Sequence, residues 1–133
     1  MTDIYNEVFT ALRNELKSEY PDIVVMSASQ DTTAKFPCVT LKQIGDSTDV
    51  QNIDSNGEFT STISFEVNSF TTGQKQETQN REIQKVINRV MSDSLGMLRI
   101  SSEQVENYLD ATVYRHVLRY TCNVTKNKLI YRR

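Results

Sequence analysis

Histidine, cysteine, proline and glycine are all scarce in this chain, and each scarcity removes a class of function. The single histidine, His116, has no nearby acid or nucleophile in sequence to complete a catalytic triad. A packed or partly exposed sheet residue is the expected role. Metal binding meets the same shortage. On an extended strand His116 and Cys122 lie about 20 Å apart, too far to share one ion, and Cys38 can approach one of them but not both. The four glycines, Gly45, Gly57, Gly73 and Gly96, are dispersed. No glycine-rich cradle for phosphate follows from them. With only two prolines as well, collagenous and low-complexity classes are excluded. The two cysteines, Cys38 and Cys122, fall in segments that read as strands, so buried free thiols in a reducing cytoplasm are expected.

Long apolar runs are missing too. Nothing approaches the roughly 18 residues of a membrane span, and the amphipathic, acidic start at Met1–Phe9 is not expected to act as a secretion signal. The glycosylation pattern Asn123-Val124-Thr125 is therefore read as empty. Asp46, Asp49 and Asp54 depart from the Asp-x-Asp-x-Asp-Gly spacing that converges oxygens on a cation, which favours a solvated loop. No cofactor, metal or catalytic residue is expected.

What remains is one domain of ordinary size, residues 1–133, long enough to bury its own core. Its formal net charge is −2, the wrong sign for a general phosphate binder. The distribution is uneven. Residues 111–133 contain Arg115, Arg119, Lys126, Lys128, Arg132 and Arg133 and no acid, whereas Lys42 to Lys75 enclose Asp46, Asp49, Asp54, Glu58 and Glu66 and no base. Opposite patches on one subunit suit a head-to-tail interface between copies, or else are merely solvated faces. Candidate interface residues are Asp46, Asp49, Asp54, Glu58, Arg115, Arg119, Arg132 and Arg133.

The apolar spacing of Ile4, Tyr5, Val8, Phe9, Leu12 and Leu16 predicts a helix, capped by Thr2 or Asp3 and stopped near Glu19 by Pro21. Strands are expected at Ile23–Met26 and at Cys38–Ile44. Asp46–Gly57 then reads as a projecting loop or long hairpin closed by the Asn56-Gly57 turn pair. Phe59, Ser61, Ile63, Phe65 and Val67 alternate with Thr60, Thr62, Ser64, Glu66 and Asn68, giving one buried and one wet face. A second helix from about Gln74 to Ser92 is expected, with Thr71 and Gln74 as a capping box and Gly96 as the stop. Met97–Ile100 form a short strand, and Ala111–Val124 the last. There Tyr114, His116, Leu118, Tyr120, Cys122 and Val124 oppose Val113, Arg115, Val117, Arg119 and Thr121. The order α-β-β-β-α-β-β predicts an α+β fold, a largely antiparallel or mixed sheet with two amphipathic helices on one face. Tyr108, Tyr114, Tyr120 and Tyr131, interleaved with arginines, leave single-strand binding open. Burial of Tyr114 and Tyr120 under the helices is the favoured alternative.

Three stretches carry a resemblance: FPCVTLKQIGD at 36–46, EFTSTISFEVNSFTTGQKQ at 58–76, and NYLDATVYRHVLRYTCNVTKNKLIYRR at 107–133. In pattern, order and length the chain resembles the tail terminator, or tail completion, proteins of long-tailed bacteriophages. The resemblance implies a virion subunit, assembled in the host cytoplasm into a homo-oligomeric ring, a hexamer. That ring caps the head-proximal end of the tail tube, ends tube polymerisation and meets the head-tail connector, or stopper, protein. DNA passes through such a ring without sequence-specific contact. Other neck proteins, the head-tail adaptor and the stopper, share the style, and an RNA- or single-strand-binding module is the alternative from another class.

Overall fold

The computed structural model describes residues 4–27, 36–49, 60–105, 112–125 and 130–131. Helix α1 spans Tyr5–Glu19 and buries Val8, Leu12 and Leu16. Tyr20, held out of helical geometry by the following proline, ends it at φ −131° and ψ 85°. Thr2 and Asp3, the expected caps, lie outside the described residues. Strands β1 (Val24–Ser27), β2 (Cys38–Asp49) and β3 (Thr60–Thr72) follow. Helix α2 is Gln76–Asn88, and its end widens into a π-helical turn over Arg89–Ser94. Then come β4 (Leu98–Val105), β5 (Val113–Thr125) and the two-residue β6 (Ile130–Tyr131).

The strands form one sheet in the order β1-β2-β3-β5-β4, with β6 also on β5. Only β1 and β2 run parallel; the other pairs are antiparallel. This is the expected α+β arrangement with a mixed sheet. Val39 and Leu41 of β2, Ile63, Phe65 and Val67 of β3, and Leu118, Tyr120, Cys122 and Val124 of β5 share one face. They join Val8, Leu12 and Leu16 of α1 and Ile83, Val86 and Ile87 of α2 in a single core. The alternation read in β3 and β5 thus assigns the helix-facing side correctly.

Three local expectations are corrected. Of the two readings of Asp46–Gly57, its start follows the hairpin and not the loop: Asp46–Asp49 extend β2 beyond the expected end at Ile44, opposite Ile63 to Thr60 of β3, after a bulge between Gln43 and Gly45. Asp and Gly are poor strand formers, but a full ladder against β3 overrides that preference. Residues 50–59, including Asn56-Gly57, lie outside the described region. Thr71 is no helix cap, because β3 continues through Thr72 and its hydroxyl donates to the Gln76 carbonyl at 2.7 Å. Lys75, at φ 63°, precedes α2 without a side-chain cap. Strand β4 is also twice the expected length. Its last five residues, Ser101–Val105, are polar up to Val105 and mostly exposed, so no apolar period announces them. Gly96 does end the helical segment, at φ 74°, a left-handed geometry that favours glycine. Its N–H bonds the Ser92 carbonyl at 3.1 Å, and the Met97 N–H reaches that of Met91 at 2.9 Å.

Candidate assembly surface

The side of the sheet opposite the helices carries the charge. Register places Glu66 beside Arg119, and Asn68 beside Val117, on that side. The Arg119 Nε donates to Glu66 Oε2 at 3.3 Å, and its Nη1 reaches Glu103 Oε1 on β4 at 3.3 Å. Asn68 links the rest, its Nδ2 donating to Glu66 Oε1 at 3.1 Å while Arg115 Nε donates to its Oδ1 at 2.9 Å. Arg115 also stands 4.0 Å from Glu66 and lies over the Phe70 ring at 5.8 Å. Glu66 is only 17% exposed, so two guanidiniums balance a carboxylate largely withdrawn from water.

Of the eight residues singled out in the sequence, Arg115 and Arg119 are therefore joined to an acid of their own subunit. Asp46 and Asp49 sit on the far end of β2. Asp54, Glu58, Arg132 and Arg133 lie outside the described residues. Sequence parity put Glu66, Arg115 and Arg119 on outward faces, but only the β3–β5 register brings them together. Glu103 was missed because β4 was not expected to reach it.

On the helix side the sheet presents a partial catalytic geometry. Strand pairing, rather than sequence proximity, brings Ser102 Oγ to 2.7 Å from His116 Nε2. The other ring nitrogen, Nδ1, is buried without a hydrogen-bond partner among the described residues. Among the described residues no carboxylate hydrogen-bonds the imidazole, the contact that orients the base in a Ser-His-Asp arrangement. Burial, aided by Arg99 and opposed by Glu103, holds His116 below its ordinary 6.5. The unfolded chain therefore takes up this proton at higher pH than the fold does. His116 contributes stability that is present above pH 6.5 and lost as pH falls through its lower folded value. The His116→Gln variant is expected to show a flatter decline in urea midpoint between pH 7 and pH 5.5 than the parent. Parallel declines would show that other groups carry the acid sensitivity.

Tyr114 and Tyr120 follow the packing alternative, while Tyr108 lies outside the described residues. Tyr120 is fully buried, its hydroxyl donating to Asn88 Oδ1 at 3.0 Å, and Tyr114 is half-buried. Neither ring is freely presented to a stacked base. Both cysteines are buried and neither is in a disulfide. Cys38 pairs with Phe70 on the outward side and Cys122 with Ile63 on the helix side, so the two thiols lie on opposite faces. Burial pushes the Cys122 thiol up to about 11, leaving it protonated and unreactive at neutral pH. Among the described residues, no group of histidine, cysteine and carboxylate side chains could hold a metal ion.

No protein-family model matches the sequence, and no curated protein does. Solved structures do match. A chain from the virion of a native gene transfer agent particle aligns with a TM-score of 0.62 over 89% of this chain and 91% of that one. The fold is similar to that of this virion chain. At 12% identity what is shared is the architecture, since a helix-covered mixed sheet needs only the right pattern of apolar positions. The bacteriophage SPP1 gp17 protein aligns over 87% of this chain and 88% of that one at 16% identity, with a TM-score of 0.42. No helix is long and apolar enough to cross a membrane among the described residues.

Proposed function

We propose that the chain is a structural, non-catalytic subunit of a phage-type virion: a tail terminator that assembles into a sixfold ring. The ring caps the head-proximal end of the tail tube, ends tube polymerisation and meets the head-tail connector. The observation that carries this reading is the near full-length match in fold to a virion chain, which agrees with the resemblance in the three sequence stretches. An imbalance of charge along one compact domain supports it, because identical subunits in a ring must join unlike surfaces. A neighbouring neck protein, adaptor or stopper, would use the same architecture.

The test begins with the purified chain, examined by light scattering after gel filtration and by negative-stain imaging. Discrete rings are expected, and rings added to polymerising tube protein should shorten the tubes and appear at one end. A monomer at all concentrations, or rings that leave tube length unchanged, would overturn the terminator reading. A monomer with strongly salt-dependent affinity for oligonucleotide would favour the single-strand-binding alternative.

A further inference from the structure

Because Arg115 and Arg119 are engaged with Glu66 and Glu103, the basic counterpart of the acidic hairpin has to be sought elsewhere. A cleft of about 300 Å³ opens between α2, its π-helical continuation and β4. Its lining includes Arg81, Lys85, Arg89 and Arg99, against the single acid Asp93. These cations are not equally committed. Arg89 grips α1 through Glu15 at 2.7 Å and Glu19 at 3.0 Å. Arg81–Glu77 and Lys85–Glu82, at 3.3 and 3.2 Å, are exposed pairs within one helix that exchange partners at little cost. The Arg99 side chain, on a strand paired with β5 through its backbone, makes no ion pair or hydrogen bond among the described residues.

We propose that this cleft receives the acidic end of the β2–β3 hairpin of a second copy of the chain. The proposal rests on the ring reading and names its interface. Asp46 and Asp49 stand on the part of β2 opposite Ile63 to Thr60, which in turn face Cys122 to Thr125 of β5. Strand β4 begins only opposite Thr121. The acidic end thus extends past the start of β4, while the cleft lies at the β4 edge, three strands across the sheet from β2. A subunit cannot fold its own stiff, paired hairpin sideways across that width. The next subunit can offer its cleft. The contact is heterologous, as ring closure demands, and its opposite charges select the register.

Two variants test this: a cleft-reversed chain, Lys85→Glu with Arg99→Glu, and a hairpin-reversed chain, Asp46→Lys with Asp49→Lys. Circular dichroism should show both folded. Alone at low salt, each is expected to assemble about tenfold or more weakly than the parent. Mixed in equal amounts they should form rings again, because alternating subunits restore opposite charges at every contact. If the parent forms rings and either variant alone does so equally well, or the mixture stays dissociated, this inference fails while the ring reading stands. A parent that never assembles overturns both. A cleft-reversed chain that keeps its rings but loses salt-dependent retention of an oligonucleotide also overturns the inference, and assigns the cleft to phosphates.

Discussion

Replacing Phe65 by alanine is expected to remove about 3–5 kcal/mol of folding stability, read as a fall in the urea midpoint at unchanged slope. The ring is fully buried at the middle of β3, between Gln43 of β2 and Tyr120 of β5, and belongs to the core beneath the helices. Truncation loses the transfer energy of a phenyl group and leaves a void that the hydrogen-bonded sheet cannot close. Since a domain of this kind is stable by only about 5–15 kcal/mol, the variant should sit near the threshold of folding. Phe65→Leu, which keeps most of the volume, should cost much less. If both substitutions cost under about 1 kcal/mol, the helices collapse into the space and the sheet is softer than its ladder implies.

The second large effect is expected at Asn80, a fully buried polar residue on α2. Its Nδ2 donates to the Ser69 carbonyl at 2.9 Å and to Thr71 Oγ1 at 3.2 Å, while its Oδ1 accepts from Gln84 Nε2 at 2.7 Å. One side chain thus ties the helix to the end of β3. Asn80→Ala strips the donor from two buried acceptors and should cost about 2–3 kcal/mol, against under about 0.5 for the exposed neighbour Gln79→Ala. Asn80→Asp should be worse than alanine near neutral pH, because it aims a carboxylate at the Ser69 carbonyl, and should recover in part on acidification. Equal loss for alanine and aspartate would show that the site is wetter than its burial indicates.

These two residues mark the boundary of what could be read from sequence. Phe65 stood in a clean alternation, so its face and burial were evident before any coordinates. Asn80 gave no signal, because a buried amide on an amphipathic helix looks like any polar position until its partner strand is known. The same division runs through the assembly surface. Parity placed Glu66 and Arg119 on outward faces, yet which acid meets which arginine is a matter of register, set by strands separated by a helix and another strand. The capping pattern at Thr71 misled because local hydrogen-bond chemistry fits two outcomes, and the sheet decided between them. At Asp46 and Asp49 composition left loop and hairpin both open: a strand end stabilised by its neighbour needs little propensity of its own.

The central ladder also governs how the chain reaches this structure. Strands β2 and β3 follow one another in the sequence, but the other neighbour of β3 is β5, paired from Thr72 with Val113 to Thr60 with Thr125. Helix α2 and β4 lie between them in the sequence. That closure requires the ordering of a long intervening segment before its contacts repay the lost entropy, so it should be the slow step of folding. During synthesis the hairpin is complete well before residues 113–125 emerge, with the inner edge of β3 bare until then. The growing chain is most exposed to mispairing in that interval.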